Sequence, residues 1–312
     1  MNFLLLFLCA FIGVSSEKLP KELERTVSSA QLFETDSMES IIREIGPHTL
    51  VFIDIDDTLI DFDTHLGCKT WRTRIKESPL RNHHDTLTFY IAKQIKMGPV
   101  DPKMPKWVKE LQARGHFLFP MTAREKDCWY DLDGILGNDE FTYRALLAAG
   151  MNFAETPLPH YARYLNQENF YRGIYFSKHP IDSEKMKGET IKEILSPLLV
   201  LPAHLRPEIE VFIIDDRKNQ CESVLAELKS MGIPCRGYWY RGAEKNHAEF
   251  DFAVSLIQLR ALLFDQRVLS NQEARDELAA RGDLQEEELT QEILRRLPVV
   301  EALREKSCQS VW

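Results

Sequence analysis

Three apolar runs in this chain each stop at polar groups of one chemical kind. Val51–Ile60 reads VFIDIDDTLI, Phe117–Arg124 reads FLFPMTAR, and Val211–Asn219 reads VFIIDDRKN. A strand with one wet face alternates apolar and polar residues. A continuous β-branched and aromatic run suits a strand covered on both faces. Between the runs lie stretches with helical spacing, so the pattern is strand, helix, strand. That order indicates parallel βαβ units with right-handed crossovers, which place ligands at the carboxyl ends of the strands. All three polar endings fall at such ends.

The remaining elements follow the same logic. Glu17–Glu34 reads as a linker or a first exposed helix. Asp36 or Ser37 can cap a helix whose apolar residues Met38, Ile41, Ile42 and Ile45 repeat at helical spacing. Thr49–Ile53 is the first strand. Asp61–Val100, rich in His and charge, reads as a mostly helical insertion. Phe117–Met121 is the second strand, and Ala123–Ala149 looks helical with a break near Gly134–Asn138. Gly173–Ser177 and Val211–Ile214 are strands, with the helix of Ile191, Ile194, Leu195 and Leu198 between them. Cys221–Met231 is a helix, Arg236–Tyr240 a strand, and Phe252, Leu256, Leu259 and Leu263 a further helical stripe. Asn271–Lys306 reads as a charged helical pair packed on the core.

Composition bounds the classes of function. With 312 residues, 44% hydrophobic, the chain can build one sizeable core with insertions. A net charge of −9 and the absence of any basic block argue against a nucleic-acid partner. Phe3–Val14 is apolar but too short for a bilayer, which takes about 20 residues. With the small residues Val14-Ser15-Ser16 after it, residues 1–16 fit a secretory signal peptide. The expectation is an exported protein, periplasmic or secreted, with no stable membrane insertion once the signal is removed. Cys68, Cys128, Cys221, Cys235 and Cys308 then remain, an odd number. Cys221 and Cys235 flank one helix, where they can bridge or stay as thiols.

The polar endings define a chemistry. Asp54 and Asp56 leave a strand two residues apart, so both carboxylates can reach one pocket while Ile55 faces the core. One acid can attack phosphorus to form an acyl phosphate, and the other can protonate the leaving oxygen. A turn with a helix cap is the alternative. Asp215 and Asp216 suit Mg²⁺, which prefers carboxylate and phosphate oxygens. Asp215 is the better direct ligand, with Asp216 acting through water and Asn219 orienting that shell. Thr122 ends a strand where its hydroxyl and the following N–H groups can bind phosphoryl oxygens. Arg124 either assists or only pairs with a surface acid. Lys187, before Gly188 and a helix, can neutralise nucleophile and phosphoryl charge; Lys178 and Lys185 are its competitors.

In this order, FIDIDDTLI (Asp54, Asp56, Thr58), PMTAR (Thr122), MKGETI (Lys187) and FIIDD (Asp215, Asp216) resemble the haloacid dehalogenase-like superfamily of phosphohydrolases. The resemblance covers roughly residues 49–240. It implies a Rossmann-like, doubly wound parallel sheet with a small helical cap at Asp61–Val100, where His65, Trp71, His83 and His84 either meet substrate or only pack. It also implies Asp54 as nucleophile and Asp56 as general acid and base, with Mg²⁺ held by Asp54, the Asp56 carbonyl and Asp215. Asn219 stands where that superfamily often carries a further acid. A finer resemblance, in TLTFYIAKQ (86–94), LAAGMNF (147–153), YRGIYFS, IIDDRKN and LSNQEA (269–274), is to exported bacterial members with a domain of unknown function. The implied organisation is a signal at 1–16, a linker or helix at 17–48, a core at 49–268 and a helical extension at 269–312. The leading expectation is an exported Mg²⁺-dependent phosphatase acting on a phosphorylated small molecule or phosphopeptide. A phosphotransferase with the same intermediate and a silent secreted binding protein are the alternatives. A dehalogenase suits the acids less well.

Overall fold

A computed structural model describes residues 30–47, 49–126, 137–177, 186–282 and 286–309. The expected signal peptide at 1–16, Cys128, Lys178 and Lys185 lie outside the described residues. In chain order the elements are β1 (Ala30–Thr35), α1 (Met38–Glu44), β2 (Thr49–Asp54), β3 (Ile60–Phe62), α2 (Lys69–Lys76), α3 (His84–Gln94), β4 (Met97–Pro99), α4 (Met104–Ala113) and β5 (Phe117–Glu125). Then come α5 (Asn138–Ala148), β6 (Phe170–Tyr171), β7 (Ile174–Ser177), α6 (Met186–Leu199), β8 (Glu210–Asp215), α7 (Lys218–Ser230), β9 (Cys235–Tyr240), α8 (Gly242–Asn246), α9 (Phe252–Asp265), α10 (Asn271–Ala280) and α11 (Glu286–Gln309).

The main sheet has seven strands in the order β1-β9-β8-β2-β5-β7-β6. All neighbours are parallel except β6 with β7. This is the expected Rossmann-like α/β sheet. All six residues of β2 are buried, because the sheet is covered on both faces. Leu50 and Phe52 join Phe119, Met121, Val211 and Ile213 in one half of the core, beneath α6 and α7. Val51 and Ile53 join Leu118, Phe212 and Ile214 in the other half, which α4 and α9 cover. After β2 the chain moves outward through β5 and β7, then returns to place β8 on the other side of β2. The order reverses between β2 and β8, and sheets of this kind bind ligands at the carboxyl ends of the strands that flank such a reversal.

Several sequence expectations hold in detail. Ser37 caps α1 by accepting the Ser40 N–H. Beyond what was expected, Ser270 and Glu273 form a reciprocal capping box on α10. Helices α10 and α11 pack on α9, with Leu289, Ile293 and Leu297 buried. Cys68, Cys221 and Cys235 are buried free thiols, so no 221–235 bridge forms. No described helix is long and apolar enough to cross a membrane.

Two expectations are corrected. Ala30–Thr35, read as linker or exposed helix, is an edge strand paired with β9 from Ala30↔Cys235 to Thr35↔Tyr240. Its weak local pattern was overridden by the free edge of β9. The helix expected from Ala123 does not start there. Strand β5 runs to Glu125, held by pairing with β7 through an irregularity after Thr122, and α5 begins only at Asn138. The insertion at 61–100 carries helices as expected, α2 and α3, set between the strands of an antiparallel ribbon, β3–β4. Trp71, Ile75, Leu87 and Ile91 bury it in the same core half as Val51 and Ile53. Trp71 and His65 are packing residues; His65 Nδ1 accepts the Asp251 N–H at 3.2 Å.

The ribbon is tied to α8 and the loop that follows it. Asn246 Nδ2 donates to the Val100 carbonyl at 2.9 Å, and His247 Nε2 lies 2.7 Å from Asp61 Oδ2 with both side chains buried. Burial would lower the His247 pKa, but the Asp61 carboxylate, and after it Cys68, outweigh that and raise the ring to about 10. A raised folded-state value stabilises in full below the unfolded value of 6.5 and is lost as pH climbs through about 10. Urea denaturation at a series of pH values should therefore show wild-type stability falling between about pH 7 and 10. In His247→Gln that slope should flatten, with a loss of about 3 kcal/mol at neutral pH.

Candidate active site

Register brings the acids together before any side chain is considered. Ile53 lies opposite Ile214 and Asp54 opposite Met121. Asp54 and Asp215 therefore emerge side by side from β2 and β8, and Thr122 leaves β5 one residue beyond Asp54. Asp54 and Asp215 have the parity of Phe52 and Ile213, which face α6 and α7. From that face Lys187, in the first turn of α6, reaches them.

Lys187 is 2% exposed. Its Nζ donates to Asp54 Oδ1 and, at 2.5 Å, to Asp215 Oδ2. Burial alone would lower its pKa, but the Asp215 and Asp54 carboxylates outweigh that and hold it above the ordinary value. Burial pushes the Asp54 carboxyl well above the usual range while the Lys187 ammonium pulls it down. Asp215 is raised for the same reason, again opposed by Lys187.

The remaining oxygens are also engaged. The Thr58 hydroxyl donates to Asp54 Oδ2 at 3.3 Å and accepts the Asp216 N–H at 3.1 Å, joining the two loops. Asp215 Oδ1 accepts the Arg217 N–H at 2.8 Å. Gln220 Oε1 accepts the Lys187 N–H at 3.2 Å, which fixes the start of α6 against α7. The two helices meet closely there. A Cβ on Gly188 would lie 2.7 Å from the Ser223 carbonyl oxygen and closer still to its hydroxyl.

Asp54, Asp215 and Asp216 have carboxylate oxygens within 4.8 Å of one another, all three residues buried. This all-oxygen set suits a hard divalent cation. Asp216 bonds Lys69 of α2 at 2.8 Å, and its carbonyl accepts the Trp239 indole N–H at 3.1 Å. Asp57 takes a left-handed φ of 61°, which aspartate tolerates, and is buried against Arg72. Burial, partly opposed by Arg72, raises its carboxyl to about 7.

Asp56 stands apart from this cluster. Its Oδ1 bonds Arg124 Nη2 at 2.6 Å, and its side chain is 30% exposed. Arg124 also reaches the Thr142 hydroxyl and lies over the Phe141 ring. Thr122 is buried and its hydroxyl accepts the Arg124 N–H at 3.1 Å, which leaves the hydroxyl proton to donate. Among the described residues it makes no hydrogen bond to Asp54 or Lys187. Asn219, expected to orient the acids, is exposed on α7; its neighbour Gln220 is the buried side chain that reaches the site. Lys69, Arg72 and Gln220 are the partners that motif spacing did not single out.

Two substitutions test this geometry by urea denaturation of the metal-free chain. Lys187→Met strips two buried carboxylates of their cation and should cost about 3–5 kcal/mol. Gly188→Ala forces α6 from α7 and should cost about 1–3 kcal/mol.

A family model described as "Protein of unknown function (DUF2608)" matches residues 34–275. No curated protein and no solved structure matches the chain.

Proposed function

We propose, for a chain that belongs to the DUF2608 family, that it is an exported, Mg²⁺-dependent phosphatase of the haloacid dehalogenase-like type, acting on phosphate monoesters. One observation carries the reading. A buried ammonium is shared by two strand-end carboxylates at the topological switch point, with a third carboxylate close enough to complete a divalent-cation site.

Charge supports it. The acids Asp54, Asp56, Asp57, Asp215 and Asp216 meet the cations Lys69, Arg72, Arg124 and Lys187, a formal excess of one negative charge. A divalent cation turns that into an excess of one positive charge, which favours a dianionic phosphoryl group. Asp54, Asp215 and Asp216 would hold the ion. When bound, Mg²⁺ supplies charge neutralisation and orients the phosphoryl oxygens.

The chain's own residues supply the rest. An oxygen of Asp54 attacks phosphorus, an acyl phosphate forms, and the bond to the leaving oxygen breaks. Asp56, at the exposed side, gives its proton to that oxygen. A water then attacks the acyl phosphate, Asp56 takes its proton, and phosphate leaves with the Asp54 carboxylate restored. Lys187 stays charged throughout and offsets repulsion between Asp54 and the incoming anion. The Thr122 hydroxyl proton and nearby N–H groups are placed to donate to phosphoryl oxygens as charge develops.

The test is hydrolysis of an aryl phosphate by the purified, Mg²⁺-loaded chain. Activity should vanish with chelator and fall at least about 1,000-fold in Asp54→Asn. Product partition with excess acceptor alcohol separates hydrolysis from phosphoryl transfer to the alcohol. No turnover across a broad panel of phosphate esters would refute the proposal.

A further inference from the structure

The inserted segment reaches the acids with two cations one helical turn apart. Lys69 opens α2 and Arg72 follows three residues later, so both occupy one side of the helix. Arg72 pairs with Asp57 in the loop after β2. Lys69 Nζ stands 2.8 Å from Asp216 Oδ2 and 3.3 Å from the Asp216 carbonyl oxygen, in the loop after β8. The two contacts differ in how firmly they are held. The Arg72 side chain is 24% exposed, whereas that of Lys69 is 41% exposed. A planar guanidinium on a buried carboxylate is a fixed anchor. A hydrated ammonium on a flexible stem at the solvent boundary can leave. Asp216 is also one of the three carboxylates close enough to share a divalent ion. An ammonium and a divalent cation at the same carboxylate repel each other, so they compete for it.

We propose that Lys69 is displaced from Asp216 by a divalent cation and then binds the phosphoryl anion of the substrate. This deepens the phosphatase reading and rests on it. Arg72 keeps α2 in place while Lys69 changes partner. Once displaced, Lys69 has lost its counterion at the mouth of the site, and an incoming dianion supplies a new one. Binding of ion and anion is thereby linked through one side chain of the insertion.

The test is calorimetric titration of the full chain, first with Mg²⁺ alone and then with inorganic phosphate at saturating Mg²⁺. Lys69→Met should bind Mg²⁺ roughly fivefold tighter, because the competitor is gone. It should bind phosphate roughly tenfold weaker. In an Asp216→Asn background, Lys69→Met should leave the Mg²⁺ affinity unchanged, because the competition runs through that carboxylate. Any of three results overturns the proposal and leaves the phosphatase reading standing: Mg²⁺ affinity equal or weaker in Lys69→Met, phosphate affinity unaltered, or the same gain in the Asp216→Asn background. A wild-type chain that binds no Mg²⁺ overturns both.

Discussion

The Lys187 ammonium, shared between Asp54 and Asp215, is the interaction on which the rest of the site depends. Two carboxylates buried side by side repel each other and lose their hydration, a cost that only a well-placed cation offsets. That cation must come from the helix face toward which both strand ends point. The requirement explains features far from the acids themselves. Strand β8 must lie beside β2, which the reversal of strand order provides. Helices α6 and α7 must approach closely, which Gly188 permits against Ser223. The first turn of α6 must be held in rotation, which the Gln220 bond to the Lys187 N–H achieves.

What could be read from the sequence divides along a physical line. Strands β2, β5 and β8 are legible because burial on both faces writes itself as an unbroken apolar run, and the acids at their ends follow from register. Strand β1 is not legible, because its existence depends on the open edge of β9 rather than on its own pattern. Lys69 and Arg72 are not legible either. Lys69 meets an acid 147 residues away, and nothing local distinguishes it from a solvated lysine. Gln220 was within reach: it precedes the buried stripe of Val224 and Leu228 by four and eight residues, the spacing that keeps it on the same face. The expectation for Asn219 followed motif position and missed that periodicity. For Arg124 two roles were open, assisting the site or pairing with a surface acid, and the acid it meets is Asp56 of the site itself.

Asp54 and Asp56 are two residues apart yet sit in different surroundings. Asp54 is buried, bonded to an ammonium and a hydroxyl, and surrounded by other acids. Asp56 is partly open to solvent and bonded to a guanidinium from β5. Two identical groups given unlike environments can take unlike roles. The chain turns through a left-handed φ at Asp57, immediately after Asp56.

The grouping of these charges is hard to explain as a device for stability. Burying ion pairs costs desolvation, and well-packed apolar residues of similar volume often stabilise as much or more. Here five carboxylates crowd one sheet edge, and cations from the insertion, from β5 and from α6 compensate them. A core selected for stability alone would shed such a cluster, because apolar replacements are readily found. The Cys221 thiol beside the acids shows the same field from another side: burial, and after it the Asp215 carboxylate, push it well above the ordinary thiol value, so it stays neutral and adds no charge. The excess of negative charge therefore rests on carboxylates that can face a cation, a distribution that supports the proposed reading over a purely structural one.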